Sequence, residues 1–157
     1  MVEPSGHEPF VRRCITLAEE AAAAGNEPFG ALLVVDGEVR LTARNQVVTA
    51  SDPTRHAELV LVSEASRQLA RELLVRATLY TSTEPCLMCC GAIYWSRIPS
   101  VVYGCSASAL GHLTGGGLVT SSRRLFEQGR REVAVVGPVL EAEALAVHEA
   151  FWSREIP

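Results

Sequence analysis

The chain has 157 residues, of which 48% are apolar and 20% charged. That balance is too apolar for a disordered polypeptide, and the length matches the ~100–200 residues of one ordinary domain. Fourteen basic against 18 acidic side chains leave a net charge of -4, the wrong sign for a surface built mainly to hold phosphate backbones.

Phe10, Cys14, Leu17, Ala18 and Ala21 recur at three- and four-residue steps and predict a helix from about Pro9 to Ala24, stopped by Gly25. Ala31 to Val35 reads as a strand, Asp36-Gly37 as a hairpin turn, and Val39 to Asn45 as the partner strand. Asp52-Pro53-Thr54 breaks the chain and starts a second helix, His56 to about Leu73. Ala77 to Thr81 is a third strand, and Pro85 turns the chain into a third helix, Cys86 to about Ser96. Val101 to Tyr103 is a fourth strand. Gly104 to Ser122, rich in Gly and Ser, reads as a loop with one helical turn, of a length often put to functional use. Val133 to Val136 is a fifth strand and Glu141 to Trp152 a closing amphipathic helix. This order predicts one α/β domain over residues 1–157, with a central five-stranded sheet and helices on both faces.

No apolar run approaches the ~20 residues that cross a bilayer. Glu3, Glu8 and two prolines within Met1 to Phe10 argue against a signal peptide. The five cysteines are Cys14, Cys86, Cys89, Cys90 and Cys105, an odd count with three clustered, which makes a poor disulfide framework. The expectation is a soluble cytoplasmic protein whose clustered thiols bind a metal or stay free. Cys14 and Cys105 lie among apolar residues and read as small core side chains.

The sharpest signal is His56-Ala57-Glu58, followed about thirty residues later by Pro85-Cys86-Leu87-Met88-Cys89. Cys86 and Cys89 stand three apart at a helix start, so both sulfurs can face one centre, and the positive helix end favours thiolates. His56 begins another helix that would enter from the same sheet edge. Together the three are candidate ligands for Zn2+, with the fourth tetrahedral position open, as in catalytic sites. A metal held this way lowers the pKa of a bound water towards ~7. Glu58, two residues beyond His56, is placed to take a proton from that water and deliver it to a substrate. A C-x-x-C pair alone also fits a zinc ribbon or a redox pair. A structural site would need a fourth ligand: Cys90 points about a quarter-turn away on the helix, and Cys105, His7, His112 and His148 are the remaining candidates, none at a convincing spacing.

Four blocks make the chain resemble the cytidine deaminase-like superfamily, in the branch of guanine, cytosine and tRNA-adenosine deaminases. They are Pro28-Phe29-Gly30-Ala31, Ala43-Arg44-Asn45, His56-Ala57-Glu58 and the run from Glu84 to Ile93. The last two carry the H-x-E…P-C-x-x-C pattern of zinc deaminases. The resemblance covers Phe10 to Gly104 well and the rest loosely. It implies a three-layer α/β/α fold with a mixed sheet, hydrolytic loss of ammonia from a cyclic amidine, and one zinc ion per chain held by His56, Cys86 and Cys89. It also implies Glu58 as the proton shuttle and a homodimeric assembly. Asn45 matches the asparagine that hydrogen-bonds the substrate ring, and Phe29 the aromatic that lines the base pocket, with core packing as its alternative. The backbone N–H groups of Ala57 and Glu58 would contact a ring carbonyl.

The block Gly91-Ala92-Ile93-Tyr94-Trp95-Ser96-Arg97 is most similar to guanine deaminases, which implies guanine as substrate and xanthine as product. Trp95 would close an aromatic pocket over a purine or anchor a dimer interface. After Gly104 the likeness weakens. Ser106 to Ser122 holds no Asp or Glu where guanine deaminases carry a carboxylate, and offers His112, Thr114 and three glycines. Leu125 to Trp152 is more similar to the cytosine and tRNA-adenosine branches, so cytosine or a triazine-type base is the alternative, with a nucleoside after it. Glu141 and Glu143 would face substrate or simply complement a helix N-terminus, and His148 and Trp152 would cap the pocket or pack. A tRNA substrate is disfavoured by a pI near 5.6 and by the absence of lysine, since Arg123-Arg124 and Arg130-Arg131 make only a small patch. A zinc-stabilised binding domain is the non-enzymatic alternative, and it would have no need of Glu58.

Overall fold

Alternating apolar strands and amphipathic helices build three layers in the computed structural model, which describes residues 4–155. The helices are α1 (Pro4–Ala23), α2 (Ala57–Gln68), α3 (Arg71–Leu74), α4 (Leu87–Ser96), α5 (Ala107–Thr114), α6 (Ser122–Phe126) and α7 (Glu141–Glu155). The strands are β1 (Gly30–Val35), β2 (Glu38–Arg44), β3 (Ala77–Thr83), β4 (Ser100–Cys105) and β5 (Ala134–Val136). They lie in the order β2-β1-β3-β4-β5. β1 pairs antiparallel with both β2 and β3, and the β3-β4 and β4-β5 pairs are parallel, so the sheet is mixed.

The period-two alternation of the strands divides the core in two. Leu33, Leu79 and Val101 face α2 and α4, while Leu32, Tyr80 and Val102 face α1 and α7. β1 is buried throughout because helices cover both its faces. A Cβ on Gly30 would stand 2.5 Å from the Cys14 carbonyl oxygen, so this glycine lets α1 lie directly on β1. The tight β1–β2 turn is made by Asp36 and Gly37, whose φ of 52° and 81° are those of the predicted hairpin. Cys14 and Cys105 are fully buried and Cys90 nearly so, each as a packing side chain. Among the described residues, no helix is long and apolar enough to cross a membrane.

β3 runs past Thr81 to Thr83, and three helical segments also differ from the sequence expectation. α1 begins at Pro4 and carries Pro9 inside it, near the N-terminus where little of the hydrogen-bond ladder precedes it. The second helix ends at Gln68, because Leu69 and Ala70 turn extended before the short α3. The Gly/Ser-rich segment holds two full turns in α5, where the Ser106 hydroxyl caps the start by accepting from the Ala109 N–H. Composition hid this helix, since the glycines that end it dominate the segment.

The topology brings three strand ends to one edge of the sheet. β1 starts there at Gly30, beside Phe29; β2 ends there just before Asn45; and β3 ends there at Thr83, just before Glu84-Pro85-Cys86. α2 and α4 both begin at this edge.

Candidate active site and metal centre

His56 and Cys86 occupy the same local position, the N-cap of α2 and of α4 respectively. Neither side chain caps its helix. Both turn instead towards each other: Cys86 Sγ lies 3.5 Å and Cys89 Sγ 3.7 Å from His56 Nδ1. All three ligand atoms fall within 4.8 Å of one another. Tetrahedral zinc with bonds of ~2.3 Å to sulfur and ~2.0 Å to nitrogen sets such N and S donors about 3.5 Å apart, so the set fits zinc. Three ligands leave one position for a water or substrate.

The Cys86 thiol is held down at about 4, first by the hydrogen bond it receives from the Cys89 thiol and then by His56, against the opposing effect of burial. The same bond, with burial, pushes Cys89 up. His56 is raised, chiefly by its contact with Cys86. These shifts favour the thiolate at Cys86, whereas binding a metal would displace the protons that they favour at Cys89 and His56.

Glu58 is 4% exposed and sits in the first turn of α2. Burial raises its pKa, opposed by hydrogen bonds from its own backbone and from Thr81. The Thr81 hydroxyl donates to Oε1 at 2.8 Å, and the Cys89 thiol lies 3.7 Å from Oε2. The carboxylate is thus fixed on one side by β3 and faces the ligand group on the other.

A cavity of about 210 Å³ opens over these groups. Phe29, His56, Glu58, Thr83 and Cys86 line it, and the segment from Ala107 to Val119 forms the opposite wall. Asn45, buried at 1% exposure, accepts the Val47 N–H on Oδ1, while its Nδ2 has no partner among the described residues. Ala57 is fully buried at the start of α2. Trp95 stands outside the cavity of its own chain, 81% exposed on the outer face of α4. Glu141 accepts the Ser106 N–H and Glu143 pairs with Arg12, so neither carboxylate lines the cavity. His148 lies behind the wall, with its ring against Phe29 and Nε2 2.7 Å from the Thr83 hydroxyl. His112 is clear of the ligand group and bonds the Ser108 carbonyl. A larger groove of about 820 Å³ between α1 and α7 holds none of the three ligands.

Two carboxylates of the cavity rim carry no role in the sequence expectation: Glu27 and Glu84. Glu84 lies inside the Glu84–Ile93 motif block, and its contacts are long-range. Glu27 precedes Pro28-Phe29 with no local pattern to mark it.

Residues 4–105 match the cytidine and deoxycytidylate deaminase zinc-binding region. The chain belongs to that family. Its members are hydrolytic, zinc-dependent deaminases, and the His56, Cys86 and Cys89 group is where this chain would hold its metal. Relatives divide over the substrate. A guanine deaminase of Bacillus subtilis is 47% identical over 98 residues, 62% of this chain and 63% of that protein. A probable cytosine deaminase of Schizosaccharomyces pombe is 35% identical over 148 residues, 91% of this chain and 90% of that protein. A tRNA-specific adenosine deaminase of Bacillus subtilis is 34% identical over 151 residues, 95% of this chain and 89% of that protein. The structure of a guanine deaminase from Nitrosomonas europaea superposes with a TM-score of 0.82 at 24% identity, covering 93% of this chain and 84% of its own, and so shares the fold of this family deaminase.

Proposed function

We propose that this deaminase acts on a free nucleobase, converting guanine to xanthine with release of ammonia. The observation that carries the reading is the 47% identity to a guanine deaminase over 62% of the chain. The cavity supports a base over a larger ligand: at about 210 Å³ it falls below the ~300–1,000 Å³ of a drug-sized site. An acidic chain without lysine argues against tRNA.

In this reading His56, Cys86 and Cys89 bind zinc, which when bound acidifies a water to supply the nucleophile. The other roles belong to side chains of the chain itself. Glu58 carries the two water protons in turn, the first to the ring nitrogen and the second to the departing amine. Thr81 holds one Glu58 oxygen and leaves the other for the proton. Phe29 packs against the ring face. The orphaned Asn45 amide and the Ala57 N–H donate to ring acceptors, which would satisfy a buried donor that is otherwise costly. Glu27 has no side-chain partner among the described residues and accepts a ring N–H, in place of the carboxylate that the 106–122 segment lacks.

The protein acts as one domain and pairs with a second copy of itself. The outer face of α4 exposes Leu87 at 46% and Trp95 at 81%, beside a groove of about 230 Å³ lined by Tyr94 and Leu125. A helix apolar on this side calls for cover, and a dimer would bring Trp95 towards the partner's site.

A second reading, cytosine, is favoured by the alignment that runs over 91% of the chain and includes the C-terminal half. Ammonia release from guanine, cytosine, guanosine and ammeline by the zinc-loaded protein separates the two. Turnover of guanine well above the others is expected. Turnover of cytosine without guanine would overturn the first reading in favour of the second.

A further inference from the structure

Glu84 makes three hydrogen bonds to residues far away in the chain. Its Oε2 accepts the Ala107 N–H at 2.8 Å, at the first residue of α5. Its Oε1 accepts both the Ser122 N–H at 2.9 Å and the Ser122 hydroxyl at 2.7 Å, at the first residue of α6. One carboxylate therefore holds both ends of the segment 107–121, and it stands two residues before the metal ligand Cys86.

That segment forms half of the cavity wall. Leu110, Gly111, Thr114, Gly116 and Val119 face the space above His56 and Cys86. It folds back on itself: a Cβ on Gly111 would stand 2.9 Å from Val119 Cγ2, and Gly115, Gly116 and Gly117 take positive φ at the bend. α5 contains no buried residue, and Leu118 at the tip is 73% exposed. Its helix packs on the α1 and α7 core only through the partly buried Ala109 and Leu110, and a wall with so little buried area is a low-stability unit whose position depends on its attachments.

We propose that Glu84 is a positioning residue that tethers the 107–121 flap over the active site and sets the width of the base pocket. It acts on substrate through the flap and does not touch the reacting atoms. The carboxylate suits this task because both oxygens accept, so both ends of the flap are held at once. A glutamine has one acceptor oxygen, so it can accept only one of the two backbone N–H groups, Ala107 or Ser122, that the two carboxylate oxygens hold together.

The test compares the zinc-loaded wild-type chain with Glu84→Gln and Ser122→Ala, using hydrogen exchange, zinc content and steady-state kinetics on guanine. Exchange across 107–121 should be about tenfold faster in Glu84→Gln, as expected for loss of a hydrogen bond to a charged group, and less so in Ser122→Ala. Exchange in α2 and β3 and zinc content should not change. KM should rise about tenfold while kcat stays within about threefold, the mark of lost positioning. Unchanged exchange across 107–121 in Glu84→Gln would overturn the proposal. So would loss of zinc, which would assign Glu84 to the metal loop instead. The kinetic arm rests on the guanine reading; the exchange arm needs no substrate, so failure of that reading leaves the flap test standing.

Discussion

His148 is 1% exposed, and its tautomer follows from its neighbours. The Trp152 indole, which can only donate, gives its N–H to His148 Nδ1 at 3.2 Å. The proton of the neutral ring is therefore on Nε2, which donates to the Thr83 hydroxyl at 2.7 Å. Protonating Nδ1 would set N–H against N–H, and burial alone already lowers the pKa to about 4 from its ordinary 6.5. The unfolded chain thus binds this proton more readily than the folded one. The stability tied to the neutral ring is complete above pH 6.5 and is lost as pH falls towards 4. At about 1.4 kcal/mol for each pH unit, the full span is worth about 3 kcal/mol, of which about 2 kcal/mol is lost by pH 5. The assay is urea unfolding of zinc-loaded wild type and His148→Gln from pH 7.5 to 5. Loss of zinc at acid pH is common to both chains and cancels in the difference. The stability of wild type relative to the variant should fall by about 2 kcal/mol over this range. Parallel pH profiles would refute the buried neutral ring. Thr83 and Phe29 both touch His148 and line the cavity, so the same protonation should loosen the base pocket.

Glu58→Gln should lower turnover by about 10²- to 10⁴-fold with zinc content intact by atomic absorption; substantial residual turnover would remove it from proton transfer. Cys86→Ser exchanges a soft thiolate for a hydroxyl, and zinc should be absent after dialysis against a chelator that leaves wild type loaded; full stoichiometry would mean that other donors hold the metal. Trp95→Glu places a charge on the exposed face of α4, and sedimentation equilibrium should show a dimer for wild type and a monomer for the variant; an unchanged mass would move the proposed interface elsewhere.

The ligand set was legible because it depends on short-range rules. A histidine and two cysteines at helix starts, with i and i+3 spacing, imply one focus wherever the two helices meet. The end of β3 was not legible. The sequence reading ends the strand at Thr81, yet Ser82 and Thr83 continue it, and Thr81, Ser82 and Thr83 are only 0%, 3% and 2% exposed. Their burial is tolerated because each hydroxyl has a partner distant in sequence: Glu58 for Thr81, the Gly30 N–H for Ser82 and His148 for Thr83. These partners exist only once the strand lies between α2 and α7. Glu27 and Glu84 were missed as site residues for the same reason, since no local spacing links them to His56.

Trp95 shows the opposite limit. Its neighbours in sequence carry the resemblance to guanine deaminases, but the helix face that presents it to solvent is chosen by which other side of α4 packs on the sheet. The sequence by itself determined the alternation of elements, the hairpin, the family and the metal donors, because these rest on periodicities and spacings of a few residues. Only the tertiary structure decided which carboxylates reach the cavity, which polar side chains are buried with partners, and how the 107–121 segment is held above the metal site. Those outcomes depend on groups separated by tens of residues, whose distances are set by strand order and helix packing and leave no trace in local pattern.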